Sequence, residues 1–269
     1  MHDIIIIGAG PAGVSAALTA RSRGKSVLVI SNSEKDSDIY KAERITNYPG
    51  LPNVSGAELS EVFRSQLAES GAELITGRAL NAMAMGDSIY VSTGSEDFQC
   101  RALILTTGVI KRQVFAGEAE FLGKGVSYCA TCDGMLYRGK KVAVVGLNSY
   151  AEEEAEFLRS IGCEVEYFDR GRAKKYEIRG EKTVSALVAD GTEYPVDGVF
   201  ILRSTIAPEG FIAGLEMEEG HIKVSSMMET SVKGVYAAGD CVGRPYQIAR
   251  SVGQGNTAAI AAAEYLDKK

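Results

Sequence analysis

The 269-residue sequence predicts an α/β protein of two domains, and three observations support this prediction. At about 150 residues per domain, the chain is long enough to form two hydrophobic cores. Two segments, beginning at residues 3 and 141, each show the pattern of a buried strand, a glycine-containing turn, a helix and a second strand. Many of the 30 glycines follow apolar runs, where the loops of α/β proteins approach their ligands closely.

Local signals assign the elements in order along the chain. Apolar β-branched runs predict buried strands, apolar residues at helical spacing predict helices, and glycines mark the turns between them. Ser55 and Glu58 have the spacing of a capping box, which predicts the start of the second helix. The predicted elements are a strand over 3–7, a helix over 11–23, a strand over 26–30, a helix over 56–70, short strands within 73–106, a strand over 141–145, a helix over 149–161, a strand over 164–168, short strands within 174–202 with a turn at Asp190-Gly191, a strand over 235–238 and a closing helix over 246–266.

Composition and charge exclude several classes of function. The net charge of −6 argues against a nucleic-acid-binding protein. No segment reaches the roughly 18 apolar residues of a membrane span, and the N-terminus lacks a secretory signal, so we expect a cytoplasmic location. Five cysteines in an intracellular chain argue against a structural disulfide framework. The closely spaced pair Cys129 and Cys132 is therefore expected to be a redox pair or part of a metal site.

The first chemical motif is the glycine-rich loop Gly8-Ala9-Gly10-Pro11-Ala12-Gly13. It follows a predicted strand and begins a predicted helix, so its backbone N–H groups and the helix dipole are suited to hold a pyrophosphate. The alternative is a structural glycine-rich turn that binds no ligand. An acidic residue normally ends the second strand of such a unit and binds a ribose, but Ser31 and Asn32 stand there.

The second motif is Cys129-Ala130-Thr131-Cys132-Asp133. Two cysteines at this spacing form a disulfide that can exchange with a partner when one thiolate is stabilised. Zinc is an alternative, but it requires two more ligands, and the sequence has no second Cys-x-x-Cys and only two histidines. An inert buried pair is a further alternative. Asp133 is either the proton donor that exchange requires or a turn aspartate.

The third motif joins Gly239-Asp240, at the end of a predicted strand, to Gln247-Ile248 at the start of the last helix. A carboxylate in this position can bind a ribose or ribityl hydroxyl. The N-terminus of the helix that follows can point at the electron-rich edge of a flavin.

Taken together, these segments resemble the low-molecular-weight thioredoxin reductases. The resemblance covers nearly the whole chain and is carried, in order, by GAGPAG (8–13), ITNYPGLP (45–52), LILTTG (103–108), GVSYCATCDGMLYRGKKVAVVG (125–146) and GVYAAGDCVGRPYQIARSVGQGNTAAIAAAEYL (234–266). It implies a disulfide reductase with FAD as cofactor, thioredoxin as partner and a homodimeric assembly.

The resemblance also implies an α/β fold of two Rossmann-like, three-layer ββα domains. The FAD-binding domain would be split into residues 1–113 and 237–269 by a smaller inserted domain, residues 114–236, that carries the Cys-x-x-Cys motif. Cys129 and Cys132 would form the redox pair, with Asp133 as proton donor and Cys132 nearer the flavin. The residues expected to contact FAD are Gly8, Gly10, Pro11, Ala12, Gly13, Ser31, Asn47, Thr107, Gly108, Gly239, Asp240, Gln247 and Ile248.

Three departures from the family concern its second nucleotide, NADPH. Asn148 replaces the middle glycine of the second loop, GLNSYA (146–151), although asparagine tolerates a positive φ and could preserve the turn. The basic cluster for a 2′-phosphate is replaced by Asp169-Arg170-Gly171-Arg172, and the inserted domain is shorter than the family's. Because all three changes affect one cofactor, we expect no NADPH binding.

Another electron source is then required, and the sequence resembles the pyridine-nucleotide-independent branch of the family that uses reduced ferredoxin. The fall from about −400 mV in a low-potential ferredoxin to about −270 mV in thioredoxin is worth roughly 6 kcal/mol for two electrons. Ferredoxins are usually acidic, so a basic docking face is expected, unless the basic clusters are merely solvated surface. The candidates are Arg170, Arg172, Lys174, Lys175, Arg179 and Lys182, or Lys111, Arg112, Arg138, Lys140 and Lys141.

The sequence therefore predicts a flavoprotein that passes electrons from reduced ferredoxin, through FAD and the Cys129–Cys132 disulfide, to thioredoxin. The alternatives are an NAD(P)H-dependent thioredoxin reductase with an atypical nucleotide site, a reductase of another disulfide partner, and a flavin-based redox sensor without turnover. The remaining thiols, Cys100, Cys163 and Cys241, are expected to be structural.

Overall fold

The computed structural model describes residues 1–33, 37, 39–108, 115–148, 150–203 and 208–268, with residues 208 and 209 described by their backbone alone. The chain forms two compact units, one of Met1–Ile110 with Ala207–Lys269 and one of Lys111–Ile206. The second expected boundary, at residue 236, differs from this division. Apolar side chains such as Phe211 and Ile222 pack in the same core as Ile5, so this segment belongs with the first unit.

The described elements alternate between strands and helices in the expected order. The strands are β1 (His2–Ile7), β2 (Val27–Ser31), β3 (Glu73–Thr76), β4 (Asn81–Met85), β5 (Ser88–Ser92), β6 (Asp97–Leu105), β7 (Val126–Ser127), β8 (Lys141–Gly146), β9 (Glu164–Phe168), β10 (Tyr176–Gly180), β11 (Val184–Ala189), β12 (Thr192–Pro195), β13 (Gly198–Leu202), β14 (Met217–Glu218), β15 (His221–Ile222) and β16 (Val235–Ala237). The helices are α1 (Pro11–Ser22), α2 (Gly56–Glu69), α3 (Glu118–Phe121), α4 (Ala130–Asp133), α5 (Ala151–Ser160), α6 (Pro208–Phe211) and α7 (Ile248–Asp267). None of the helices in the described residues is long and apolar enough to cross a membrane.

The first unit is built on a sheet with the parallel order β3-β2-β1-β6. Strand β16 pairs in parallel with the C-terminal half of β6, and β5 pairs antiparallel with its N-terminal half. β1 is apolar on both faces because both are covered: Ile4 and Ile6 pack in one core, Ile5 and Ile7 in the other. Helices α1, α2 and α7 cover the first of these faces.

Local signals explain where the helices begin. The expected capping box is present, since Ser55 Oγ accepts the Glu58 N–H at 3.2 Å and Glu58 Oε2 accepts the Ser55 N–H at 2.7 Å. Helix α1 begins at Pro11, where a missing N–H costs nothing. Helices α1 and α7 pack closely because Gly255 has no side chain, and a Cβ there would lie 2.0 Å from the Ala12 carbonyl oxygen.

The second unit combines the parallel sheet β7-β13-β8-β9 with the antiparallel sheet β10-β11-β12. The expected turn between β11 and β12 is present, with both Asp190 (φ 47°) and Gly191 (φ 87°) in the left-handed region. Sequence reasoning did not detect α6, β14 and β15, which belong to the first unit and are only two to four residues long.

A buried ion pair joins the beginning of the second unit to the end of β13. Glu118 is 5% exposed and accepts hydrogen bonds from Arg203 Nη1 at 2.7 Å and Nη2 at 2.8 Å. The Tyr128 hydroxyl at 2.8 Å and the Phe115 N–H at 2.9 Å also donate to this carboxylate. The Arg203 guanidinium lies over the Phe115 ring, 5.1 Å from its centroid. The charges are therefore paired and hydrogen-bonded, as burial requires.

Candidate dinucleotide and disulfide sites

The glycine loop between β1 and α1 forms an open cradle in the first unit. Gly8 (φ 106°) lies close to the backbone at the end of β6. A Cβ at Gly8 would be only 2.4 Å from the Thr106 carbonyl oxygen. At Gly13 a Cβ would lie 1.9 Å from the Gly8 carbonyl oxygen. A Cβ added at Gly10, by contrast, would have no described heavy atom within 4 Å. Gly8 and Gly13 are thus required for packing, whereas Gly10 leaves its backbone accessible to a ligand.

Neighbouring hydroxyls hold the loop in this conformation. Ser31 Oγ accepts the Ala9 N–H at 3.0 Å, and Thr106 Oγ1 donates to the carbonyl oxygens of Ile7 at 2.8 Å and Gly8 at 2.9 Å. Ser31, an expected FAD contact, therefore has a structural role in the loop. Thr106 was not among the residues expected to shape the site, although it directly follows β6.

The third motif lies beside this cradle. A Cβ at Gly239 (φ 84°) would lie 2.9 Å from the Ala12 Cβ, which places the end of β16 against the start of α1. Asp240 Oδ1 accepts a hydrogen bond from Ser251 Oγ at 3.2 Å. Thr107, followed by Gly108, lies beside the Cys241 thiol at the carboxyl end of β6. The expected contacts in these three segments therefore meet at the carboxyl ends of parallel strands, where α/β sheets bind ligands.

The start of α7 completes the candidate site. Gln247 is its N-cap residue, and its Oε1 accepts a hydrogen bond from Asn47 Nδ2 at 3.0 Å. Within the described residues, no side chain caps the N-terminus of α1 or of α7. Uncapped N–H groups are suited to phosphate and to the electron-rich edge of a flavin. The open space at Gly10 and the two uncapped helices fit FAD.

The Cys129–Cys132 disulfide lies in the second unit, with the two Cα atoms 5.4 Å apart. Cys129 is the N-cap residue of α4 and is 7% exposed, whereas Cys132 is exposed. Cys129 Sγ accepts the Cys132 N–H at 3.0 Å. Across the residues that the structure describes, no group of three or more His, Cys, Asp or Glu side chains is positioned to hold a metal ion.

Two side chains that sequence reasoning missed bind the disulfide segment. Ser127, 4% exposed, donates to Asp133 Oδ2 at 2.7 Å and accepts the Cys129 N–H at 3.1 Å. Glu154 Oε2 accepts the Ala130 N–H at 3.3 Å. Ser127 thereby fixes the Asp133 carboxylate close to the backbone of Cys129. The only signal for Ser127 in the sequence is its place two residues before the first cysteine.

The second glycine loop, between β8 and α5, is occupied by the chain's own groups. Asn148 Oδ1 accepts the Tyr150 N–H at 2.9 Å, and its Nδ2 donates to the Arg203 carbonyl oxygen at 3.1 Å. Asn148 is not among the described residues with a positive φ, and its side chain makes an Asx-type turn. Ser149 lies outside the described residues.

Further groups surround this loop. A Cβ at Gly146 would be only 2.4 Å from the Tyr167 hydroxyl oxygen, so the tyrosine occupies the space beside this glycine. Arg170 Nε donates a hydrogen bond to the Leu147 carbonyl oxygen at 3.1 Å. The first turn of α5 carries three carboxylates, Glu152, Glu153 and Glu154. A pyrophosphate would therefore meet filled space and like charge at a helix end that normally attracts it.

Several cations of the expected docking clusters are bound by groups of their own unit. Arg172 pairs with Glu166 and stacks on the Phe168 ring, 4.2 Å from its centroid. Arg179 pairs with Glu177 at 2.8 Å and Glu193 at 3.3 Å, and Lys141 with Glu164 at 3.0 Å. Lys111 and Arg112 lie outside the described residues. Of the first cluster, Arg172 and Arg179 thus have their charges paired with carboxylates of the same unit.

The three thiols outside the disulfide are buried. Burial raises the pKa of Cys100 to about 12 and that of Cys241 to about 11, and it also raises the pKa of Cys163. These cysteines remain protonated at neutral pH and are unreactive, as expected for structural thiols.

Comparison with known proteins gives the class and then the family. The chain matches the family model "Pyridine nucleotide-disulphide oxidoreductase" over residues 2–175 and 170–255. It is 35% identical to the thioredoxin reductase of Aquifex aeolicus over 306 aligned positions, covering 100% of this chain and 94% of that protein. A ferredoxin-flavin thioredoxin reductase from Clostridium acetobutylicum is 40% identical, with a TM-score of 0.93 and coverage of 100% of this chain and 99% of that chain. A thioredoxin reductase from Gloeobacter violaceus is 33% identical, with a TM-score of 0.84 and coverage of 99% and 94%.

These matches define the class as flavoprotein disulfide reductases, for which FAD is the implied cofactor. Within this class, the chain belongs to the pyridine nucleotide-disulphide oxidoreductase family and to its low-molecular-weight thioredoxin reductases.

Proposed function

We propose that this protein passes electrons from reduced ferredoxin, through FAD and the Cys129–Cys132 disulfide, to thioredoxin. The observation that carries the proposal is the contrast between its two glycine loops. The Gly8–Gly13 loop is open at Gly10, whereas the Gly146–Asn148 loop is filled by the Asn148, Tyr167 and Arg170 side chains. The similarity to a ferredoxin-flavin thioredoxin reductase supports ferredoxin as the donor.

In this proposal the first unit binds the cofactor and the second carries the disulfide. The Gly8–Gly13 loop and the N-terminus of α1 would hold the pyrophosphate, Asp240 a hydroxyl, and Asn47, Gln247 and Ile248 the flavin end. Bound FAD supplies redox chemistry that accepts electrons singly and passes them on in pairs. The proposal includes a homodimer, which light scattering of the purified protein tests.

The disulfide takes up two electrons and two protons to become a dithiol, and Asp133 would exchange one of the protons. The dithiol then reduces thioredoxin through a mixed disulfide. Met135 and Leu136, directly after the motif, are 58% and 70% exposed and offer an apolar surface for a protein substrate. Cys132 is proposed to lie nearer the flavin, which leaves Cys129 to attack thioredoxin.

The donor is tested by anaerobic mixing of the FAD-loaded protein with either NADPH or reduced ferredoxin. We expect the flavin absorbance near 450 nm to stay constant for minutes with NADPH, because the second nucleotide loop is filled. Photoreduced ferredoxin should bleach the flavin and sustain repeated turnover of thioredoxin. Prompt bleaching by NADPH would instead favour the NAD(P)H-dependent alternative, and one stoichiometric reduction without turnover would favour a redox sensor.

The role of Ser127 is tested by Ser127→Ala. The hydrogen bond to the Asp133 carboxylate is lost, and such bonds contribute about 1.5–3 kcal/mol, so we expect thioredoxin reduction to slow about tenfold or more. The pH dependence of the dithiol step should also shift, because Asp133 is no longer held beside Cys129.

Two variants serve as controls for this prediction. Ser127→Thr keeps the hydroxyl and should restore most of the rate, and Ser160→Ala, at an exposed serine of the same unit, should have no effect. An unchanged pH profile in Ser127→Ala would show that Ser127 does not act through Asp133.

A further inference from the structure

Three arginines of the first unit lie within three residues, along the chain, of Asn47 or Gln247. Arg44 lies three residues before Asn47, Arg244 three residues before Gln247, and Arg250 three residues after it. The Asn47–Gln247 hydrogen bond, at 3.0 Å, brings the two chain segments together. We call Arg44, Arg244 and Arg250 the arginine rim.

The guanidinium groups of the arginine rim are held by neutral partners. Arg44 Nε donates to Asn53 Oδ1, and Arg250 Nη1 donates to the carbonyl oxygens of Gly243 and Pro245. Arg244 lies over the Tyr246 ring, 5.2 Å from its centroid. Within the described part of the chain, none of the three forms an ion pair with a carboxylate.

The Tyr246 ring beneath Arg244 is itself fixed. Its hydroxyl hydrogen-bonds His221 Nε2 at 2.8 Å, which ties the loop before α7 to strand β15. The hydrogen bond to His221 therefore holds in place the ring on which the Arg244 guanidinium lies.

The segments that carry the rim contain both cations and carboxylates. Residues 38–58 and 240–264 contain four cationic side chains, those of the rim and Lys41, and five carboxylates, Asp38, Glu43, Glu58, Asp240 and Glu264. Two of these carboxylates have described partners of their own, since Glu58 accepts the Ser55 N–H and Asp240 accepts a hydrogen bond from Ser251. Arginines that are not paired with a described carboxylate can attract an acidic protein and orient it, and salt screens the attraction.

We propose that the arginine rim is the docking face for an acidic, low-potential iron–sulfur protein that donates single electrons. The inference rests on the proposed ferredoxin dependence and adds the place where the donor binds. Gln247 and Asn47 lie in the candidate flavin site, so a donor on the rim comes close to the flavin. Two encounters each oxidise one donor centre by one electron; with two protons from solvent, these electrons convert the Cys129–Cys132 disulfide to the dithiol.

This location differs from both clusters expected from the sequence. Arg172 and Arg179 of the first cluster face carboxylates, which repel an acidic partner. The described members of the second cluster, Arg138, Lys140 and Lys141, follow the disulfide in the other unit.

The test is the second-order rate of flavin reduction by a photoreduced acidic ferredoxin, measured anaerobically at low and high salt. Arg44→Glu and Arg244→Glu should each lower the rate at low salt about tenfold or more and weaken its salt dependence, because steering raises association rates by orders of magnitude. Arg244→Gln, which removes the charge without reversing it, should have a smaller effect. Reduction of the same variants by dithionite, a small donor that needs no docking face, should match wild type.

Arg179→Glu is the matched control, since it makes the same charge change at an exposed arginine of the first expected cluster. Its rate should stay within about twofold of wild type, as expected for a residue outside the docking face. Flavin content and thermal midpoint of each variant show whether it is folded. Rim variants that react like wild type, or an Arg179→Glu variant that slows equally, would overturn the proposed docking face. If ferredoxin does not reduce even the wild-type flavin, the proposed function itself fails.

Discussion

Replacing Cys132 with serine is expected to abolish thioredoxin reduction, with at least about a thousandfold loss of turnover, because a single thiol cannot release a mixed disulfide. Reduction of the flavin by ferredoxin should continue, since that step needs only the first unit. The variant should therefore bleach on mixing with reduced ferredoxin but fail to turn over thioredoxin. Stopped-flow absorbance and a thioredoxin-coupled insulin assay measure the two steps separately.

Comparing the serine variants of Cys129 and Cys132 shows which of the two sulfurs attacks thioredoxin. If Cys132 lies nearer the flavin, Cys132→Ser should form a stable mixed disulfide with thioredoxin through Cys129, whereas Cys129→Ser should not. Mass spectrometry of non-reduced samples distinguishes the two. Cys163→Ser is the control, because this buried thiol takes no part in the exchange. Trapping through Cys132 alone would reverse the proposed order of the cysteines.

Replacing Glu118 with glutamine is expected to destabilise the second unit by about 3–5 kcal/mol, the usual cost of removing one partner of a buried ion pair. The Arg203 guanidinium would remain buried without its counter-charge. Amide hydrogen exchange in β13, which ends just before Arg203, measures this loss locally. A local measurement is needed because a protein of two units need not unfold in one transition.

Two further variants separate the loss of the Glu118–Arg203 ion pair from the general effect of replacing a glutamate with glutamine. Glu120→Gln, at an exposed carboxylate of the same helix, should change the free energy of unfolding by less than about 0.5 kcal/mol. Glu118→Gln combined with Arg203→Met removes both charges and should recover part of the lost stability. If Glu118→Gln were as stable as Glu120→Gln, the pair would contribute little to the fold.

Features with a local cause could be predicted from the sequence. The capping box at Ser55 and Glu58, the glycine loop of residues 8–13 and the turn at Asp190-Gly191 each depend on neighbouring residues, and all are present. The long helix α7 was also expected, since its segment is rich in alanine, a strong helix former. These elements bring the candidate cofactor contacts to one edge of a sheet.

Features that depend on distant contacts could not be predicted. Glu118 and Arg203 are 85 positions apart in the chain, and no local sequence pattern indicates that they form an ion pair. The same is true of Glu154 and Ala130, 24 positions apart. The boundary of the inserted unit was misplaced for a related reason, because the short elements between residues 208 and 222 have no periodic pattern that would assign them to either core.

The pairing of β16 with β6 determines the order in which the two units can be completed during synthesis. Every described strand of the second unit has been made by Leu202, whereas the first unit still lacks β16 and α7. The contacts of the first unit with β16 and α7 must wait until residues 235–267 have left the ribosome. Until then the apolar surface of α1 that α7 covers stays open to solvent, and such transiently exposed surface promotes aggregation.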